Sequence, residues 1–326
     1  MNKQIKKIAI LTSGGDAPGM NNAVRAVVKH ALANQIEPFL VFEGYKGLVN
    51  KNILPATQYD VDQYVSKGGT FIFSARFPEF KDPNVRLQAK KNLEDIGIDA
   101  LVVIGGDGSY MGAQLLHEIG IKTIGLPGTI DNDITSSDFT IGYDTALNTI
   151  VDAVDKLRDT SNSHNRFLML EVMGHGAGDL ALYSGLATGA EIIITNEHTM
   201  NEDEIAKIVN HQIKIMKKRS VIAIVSEFIY PNLKAIAKSV EEKTGIASRA
   251  MALEHVQRGG NPSAQERIWA TLMGIKAVDL LKEGKSGIAI GISKGDIVSI
   301  PILEALQAPR KSNKEKAIKF NKLNQS

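Results

Sequence analysis

Two acids and a hydroxyl, Asp131, Asp133 and Thr129, make the segment Leu126-Pro127-Gly128-Thr129-Ile130-Asp131-Asn132-Asp133-Ile134 the stretch most able to do chemistry. Its Pro-Gly pair reads as a tight turn after the apolar run 121–126. A carboxyl with an ordinary pKa of about 4 is ionised at neutral pH and can accept a hydroxyl proton. Asp131 and Asp133 are two apart, so in an extended segment they share a face. One would deprotonate an alcohol while the other stays near a metal or orients the first. The same residues also suit an Asx turn. Upstream, the apolar run 100–104 feeds Gly105-Gly106-Asp107-Gly108-Ser109. Glycines let backbone N–H groups approach phosphate oxygens. Asp107 would repel phosphate unless a cation lay between them, and Mg²⁺ favours one or two carboxylates plus phosphate oxygens. Asp107 is thus a candidate Mg²⁺ contact, the alternative being a plain Asp-Gly turn. A phosphate loop and an acidic turn on consecutive strand ends suit phosphoryl transfer.

A second glycine loop, Gly14-Gly15-Asp16-Ala17-Pro18-Gly19, joins a strand to a helix. Gly14 and Gly19 have the P-loop spacing, but Met20-Asn21 stand where Lys-Ser/Thr belong. A phosphate cradle and a tight βα turn both fit it. Gly106-Asp107-Gly108-Ser109-Tyr110-Met111-Gly112 misses the dinucleotide fingerprint by one residue at its third glycine, which counts against an oxidoreductase. Arg76, Arg166, Arg249 and Arg258 fall beside glycine turns or strand ends, and arginine grips phosphate with a bidentate fork. His255, three before Arg258, suits a hydrogen bond to a sugar.

The elements that would position these residues alternate. Apolar runs at 7–11, 39–42, 100–104, 121–126, 167–172, 192–195 and 221–225 read as strands. Helical spacing covers 21–34, 84–96, 109–119, 143–157, 179–186, 202–216 and 233–243. Such alternation gives an α/β fold with mostly parallel sheets covered by helices. Ligands of these folds bind beyond the carboxyl ends of strands. The loops at 12–16, 105–109, 128–133, 171–174 and 226–227 all follow apolar runs, describing an active-site cleft on one rim. At 326 residues two lobes are expected, with a boundary near Gly142. The last eighteen residues hold six Lys/Arg and one Glu, and read as a solvated terminal helix or tail.

A net charge of +2 gives no bulk electrostatic case for nucleic acid or an anionic membrane. The absence of cysteine removes disulfides and thiolate metal sites. No apolar run approaches the roughly 18–20 residues of a bilayer span. The run 8–11 is too short for a secretory signal, so the expectation is a soluble intracellular protein.

Taken in order, six motifs resemble those of the bacterial ATP-dependent phosphofructokinase family. They are residues 12–21, Gly69-Thr70 with Ser74-Ala75-Arg76-Phe77-Pro78-Glu79-Phe80, residues 104–109, Pro127-Gly128-Thr129-Ile130-Asp131-Asn132-Asp133, Glu171-Val172-Met173-Gly174, and His255-Val256-Gln257-Arg258-Gly259-Gly260. The likeness runs from about Lys6 to Ala308. It implies two Rossmann-like three-layer α/β/α lobes with mostly parallel sheets. Residues 1–142 plus 257–306 would bind ATP, and 143–256 plus 307–326 fructose 6-phosphate. The implied reaction moves the ATP γ-phosphoryl to O1 of fructose 6-phosphate, a glycolytic step, with Mg²⁺ near Asp107.

By resemblance, Asp131 is the proton acceptor, supported by Thr129 and Asp133, and Arg76 stabilises transition-state charge. Gly15, Tyr45, Arg76, Phe77, Gly106, Asp107, Gly108 and Ser109 would hold ATP. Thr129, Ile130, Asp131, Met173, Gly174, His175, Glu227, His255, Val256, Gln257 and Arg258 would hold the sugar phosphate. Arg166 and Arg249 would reach its 6-phosphate from a neighbouring subunit of a cytoplasmic homotetramer. Glycines at 108 and 128, where pyrophosphate-using members carry Asp and Lys, favour ATP. His175 replaces the family's usual Arg after Met-Gly, losing a permanent charge. This motivates the alternative of a catalytically weakened sensor of sugar phosphate or nucleotide. Arg25, Arg158, Gly189, Glu191, Lys218 and Arg219 match in kind the family's effector site for ADP and phosphoenolpyruvate, with Lys29 at a further position of it. Lys29 and Gln58 stand where arginine is often found, which puts strong allostery in question.

Overall fold

The computed structural model describes residues 4–310 and 312–326. Contacts divide the chain into two compact units. The larger comprises the chain up to Ile130, Ile134–Thr145 and Arg258–Pro309, and the smaller Asp131–Asp133, Ala146–Gln257 and Arg310–Ser326. The division falls inside a long helix, after Thr145, and the three residues Asp131–Asp133 cluster apart from the strand that leads to them.

The first part of the chain runs β1 (Lys7–Thr12), α1 (Met20–Ala33), β2 (Glu37–Val41), α2 (Gly44–Val49), β3 (Ile53–Pro55), α3 (Gln58–Asp62) and α4 (Pro83–Ile96). It continues through β4 (Ala100–Gly105), α5 (Asp107–Glu118), β5 (Lys122–Thr129), β6 (Ile141–Gly142) and α6 (Tyr143–His164). Then come β7 (Phe167–Val172), α7 (Asp179–Thr188), β8 (Ile192–Ile194), α8 (Glu202–Asn210), β9 (Val221–Ser226), α9 (Leu233–Thr244) and β10 (Ser248–Ala252). The last elements are α10 (Ala264–Lys282), β11 (Ile288–Ser293), β12 (Asp296–Pro301), α11 (Ile302–Gln307) and α12 (Lys314–Gln325).

In the larger unit the sheet order is β12-β11-β5-β4-β1-β2-β3, with β6 on the end of β5. Only the outer pairs β11–β12 and β2–β3 are antiparallel. Every residue of β4 is buried, as expected where helices cover both faces of a parallel sheet. From β1 the chain goes outward to β2 and β3, then returns to β4 on the other side. The loops after β1 and β4 therefore part at the switch point where ligands bind in open α/β sheets. The core here includes Leu11, Val41, Leu93, Leu101, Val103, Tyr110 and Leu116. α4 starts and stops on signals visible in the sequence: Asp82 accepts from Asn84 N–H, Pro83 opens the first turn, and Gly97 closes it at φ 79°.

The smaller unit has four parallel strands in the order β10-β7-β9-β8 over a core containing Phe167, Met169, Ile192, Ile205, Val221, Val225 and Val240. The register pairs Val172 with Ser226 and Glu171 with Ala252, so the loops after β7, β9 and β10 leave one edge together.

Three expectations change. Pro127 and Gly128 do not turn: β5 continues to Thr129, because Gly128 and Thr129 pair with Ile141 and Gly142 of β6. The acids follow in a bend where Asn132 takes φ 52°, so the segment is not extended and its alternation does not put both acids on one face. The basic C-terminus is a helix, as one of the two readings had it, but docked rather than solvated. α12 buries Ala317 and Asn321 while its lysines stay exposed. The Asn321 side chain accepts from Ile193 N–H and donates to Ile193 O, each at 2.8 Å. Beyond 243 the apolar pattern gave no assignments. α10 shows why: it packs on α1 through small residues, and a Cβ on Gly274 would lie 2.7 Å from that of Ala26.

Candidate functional site

In the larger unit, β1 and β4 end level with one another, Thr12 beside Ile104. Ser13 N–H donates to Ile104 O at 2.9 Å. The glycine loops that follow are pressed together. A Cβ on Gly105 would sit 2.4 Å from Ser109 Oγ and 2.5 Å from Ser13 O, so only glycine fits. α1 and α5 begin at these loops, after Gly19 and Gly106, and no side chain caps either helix. Their N-terminal dipoles favour an anion. Asp107 is exposed in the first turn of α5, and a Cβ on Gly106 or Gly108 would meet nothing within 4 Å.

Arg76 is exposed on a loop tied back to the β1 loop. Thr12 Oγ1 donates to Phe73 O at 2.8 Å, and Ser74 Oγ donates to Gly14 O. The loop's earlier part is held by Asn21, one of the residues standing where a P-loop has Lys-Ser/Thr. Asn21 Nδ2 donates to Lys67 O at 3.0 Å and to Gly68 O at 3.2 Å, and its Oδ1 accepts from Phe71 N–H at 3.0 Å. Sequence reasoning missed this residue. Its signal was a pair of asparagines on the otherwise apolar buried face of α1. Arg258 donates from Nη1 to Asp16 O at 3.1 Å, and a Cβ on Gly15 would lie 2.5 Å from that nitrogen.

Tyr45, expected to hold nucleotide, is instead packed beneath α5. It is buried, stacks on Phe80 at 4.2 Å, and donates from its hydroxyl to Ser109 O at 2.6 Å. Burial holds its hydroxyl well above the ordinary tyrosine pKa. Phe77 is half-buried against the same core. Ile130 is fully buried and has no surface to offer a ligand. The two donor-selecting glycines differ. Gly108 borders open space, whereas a Cβ on Gly128 would fall 2.6 Å from Met20 Cε and 3.1 Å from Gly105 N. In this packing a side chain at 128 would have to displace the Met20 terminus and crowd Gly105, so glycine there has a steric role besides any in donor choice.

In the smaller unit, the loop after β7 turns through Gly174 at φ 144° and His175 at φ 44°. Glu227, just after β9, accepts from Gly174 N–H at 3.1 Å and from His175 N–H at 2.8 Å. Gln257 accepts from Met173 N–H at 3.1 Å and donates to Glu254 O at 3.0 Å, and is itself fully buried. It holds the loop from beneath, while His255 and Val256 are exposed. Glu171 titrates above the usual range because of burial, then the nearby carboxylates of Glu227 and Glu254. Asp131 is 7% exposed. Burial raises the Asp133 carboxyl, opposed by a backbone hydrogen bond, by His175 and by Arg310.

Arg166 and Arg249 come together along a groove of about 290 Å³ with Leu157, Thr160 and Met251. They lie at the start of β7 and β10, the opposite end of the sheet from Met173 and Glu227. Arg158, Glu191, Lys218 and Arg219 line a cavity of about 550 Å³. Arg158 and Lys218 reach Glu191 Oε1 at 3.4 and 3.3 Å, and Arg158 also donates to Thr188 O at 3.1 Å and Gly189 O at 3.4 Å. Arg25 and Lys29, in the larger unit, both pair with Asp62, at 3.2 and 2.7 Å. Among the described residues no group of three or more His, Cys, Asp or Glu side chains is arranged to hold a metal. A single carboxylate such as Asp107 fits Mg²⁺, which takes its remaining ligands from phosphates and water. Among the same residues no helix is long and apolar enough to cross a membrane.

The chain matches the family model described as phosphofructokinase over residues 7–281. It is 61% identical over 99% of its length to the whole of a Mycoplasmopsis pulmonis protein named ATP-dependent 6-phosphofructokinase. A Mycoplasma mobile protein of the same name is 62% identical, over 98% of this chain and 99% of that one. Among solved structures, the phosphofructokinase of Saccharomyces cerevisiae superposes with a TM-score of 0.86 at 34% identity. That match covers 98% of this chain and 47% of the yeast chain, so this chain spans about half the yeast chain's length. The level ends of β1 and β4, the crowded glycine loops and the full-length likeness place this chain in the phosphofructokinase family.

Proposed function

We propose that the chain transfers the γ-phosphoryl group of ATP to O1 of fructose 6-phosphate, giving fructose 1,6-bisphosphate and ADP, as a kinase of glycolysis. The observation that carries the reading is a pair of side-chain-uncapped helix N-termini behind glycine loops at the β1/β4 switch point, in a chain that matches such kinases end to end. The larger unit takes the donor. Backbone N–H groups of Gly15 and Gly106 to Ser109 receive the phosphates, and Arg76 meets the charge that develops on the transferring group. Mg²⁺, when bound, would be held by Asp107 and would neutralise phosphate charge. The smaller unit takes the acceptor. Met173, Gly174, Glu227 and His255 of this unit hold the sugar phosphate. Asp131 accepts the O1 proton as the O1–phosphorus bond forms and the bond from the γ-phosphorus to the bridging oxygen breaks, releasing ADP. Asp133 supports it.

Arg166 and Arg249 serve a neighbouring copy. β7 has six residues, so at roughly 3.3 Å per residue they are about 20 Å from the Met173 end and cannot grip the same sugar phosphate. This supports a homotetramer with shared sites. The cationic cavity at Arg158, Lys218 and Arg219 is the effector site for ADP or phosphoenolpyruvate that this reading assigns. A cytoplasmic location follows from the glycolytic role.

The test is a coupled assay with fructose 6-phosphate and Mg²⁺. Fructose 1,6-bisphosphate should appear with ATP and not with pyrophosphate. Binding of both ligands without product at saturation would overturn the kinase reading in favour of a sensor.

A further inference from the structure

We propose that Arg310 is a positioning residue for the acid loop, acting on Asp131–Asp133 through Asp179 and Asn132. Arg310 lies in the segment joining α11 to α12, and no family motif includes it. One guanidinium nitrogen, Nη2, donates to Ala177 O and to Asp179 Oδ2, both at 2.6 Å. Asp179 opens α7 and also accepts a hydrogen bond from the Asn132 side chain. Asn132 is the middle residue of the acid loop and the one held at φ 52°. Asparagine tolerates that left-handed conformation better than most side chains, but an outside tether is what selects it. The chain of contacts thus runs from Arg310 through Asp179 to the backbone turn that separates the two catalytic acids.

The geometry makes the tether depend on charge. The Arg310 and Asp179 side chains are only 33% and 12% exposed, so their pairing is poorly screened. Without Arg310, Asp179 becomes a buried carboxylate with only the weaker influence of Lys316 as counter-charge, and burial already raises its pKa. Protonated, it would hold Asn132 less well. Arg310 also acts on Asp133 electrostatically, opposing with His175 the neutralisation that burial favours.

The inference rests on Asp131 as the proton acceptor. Steady-state kinetics of the full chain test it. Arg310→Met should lower kcat about tenfold while KM for ATP stays within about twofold, since the donor loops lie in the larger unit. Asn132→Ala should give a similar loss, and the double variant should be little worse than either alone. Arg310→Lys should recover most of kcat, because both bonds come from one nitrogen that an ammonium can replace. Unchanged kcat in Arg310→Met, independent losses that multiply in the double variant, or no recovery with Lys would each overturn the proposal. If Arg310→Met folds poorly, Asp179→Asn removes the charge at constant shape and is expected to lower kcat in the same way; full kcat there would overturn it too. Asp131→Ala run alongside separates the two ideas: substantial activity in that variant contradicts the base assignment, whatever Arg310 does.

Discussion

The glycine loops of the larger unit, proposed to take the donor, and the loops after β7 and β9 of the smaller unit, proposed to take the acceptor, are held by different physics. Around Gly14, Gly105 and Arg76 the pins are mostly neutral: Gly105 with no room for a Cβ, the Asn21 amide, and the hydroxyls of Thr12, Ser74 and Tyr45, beside one charged contact from Arg258 to Asp16 O. Around Met173, His175 and Asn132 the pins are mostly ionisable: Glu227 under two N–H groups, and Asp179 between Arg310 and Asn132. Neutral steric pins give a fixed shape that is indifferent to pH. Charged pins gain strength from low dielectric but fail when a partner is lost. A phosphate cradle needs only fixed geometry, whereas an acid loop must keep its carboxylates ionised while half-buried. The protein therefore places its charge where the chemistry needs charge.

Within this comparison the largest effect should come from Gly105, a neutral pin set against backbone. Gly105→Ala puts a Cβ against the Ser13 carbonyl oxygen, a backbone atom that cannot swing away. Overpacking of this kind costs about 1–3 kcal/mol. Because it moves the loop itself, ATP affinity should fall at least about tenfold. Nucleotide binding by calorimetry reads this directly, and near-normal affinity would break the steric half of the comparison. Asn21→Ala should be milder. It strands Lys67 O, Gly68 O and Phe71 N, at about 2 kcal/mol of stability. kcat/KM for ATP should fall several-fold through Arg76, with KM for fructose 6-phosphate little changed.

Glu266 is the exception that sharpens the contrast, a carboxyl deep in the larger unit. It accepts from Thr145 N–H at 3.1 Å and Thr145 Oγ1 at 3.2 Å, and burial raises its pKa from 4.5 to about 7. The folded state therefore holds this proton more tightly than the unfolded chain. Its stabilising contribution is full below about pH 4.5 and is lost as pH rises towards about 7, to the extent of about 3 kcal/mol. Glu266→Gln, neutral at every pH, should raise the melting temperature at pH 8 and change it little at pH 5. An equal effect at both would show that the carboxyl does not titrate in this window.

Much of this was legible in the residues. Strands β1, β4, β5, β7 and β9 are apolar runs long enough to read, and α4 carries its own start and stop signals. The glycine loops and the acids declared themselves by type and spacing. What stayed hidden depends on distant partners. Pro127-Gly128 has turn chemistry, but β6 captures it as strand. Asp179 and Arg310 act on segments far away in sequence, and nothing local distinguishes them from ordinary polar residues. Tyr45 read as a ligand contact by resemblance of position, which gives no direction, and the packing turns it inward.

The central claim is that Asp131 takes the proton of the acceptor hydroxyl in transfer from ATP. Its most direct test is the turnover number of Asp131→Ala with saturating ATP, Mg²⁺ and fructose 6-phosphate, beside its ATP affinity. Loss of a general base predicts a fall of about 10²–10⁴-fold in kcat with ATP affinity unchanged. More than a few per cent of the wild-type rate, with ATP still bound, would contradict it.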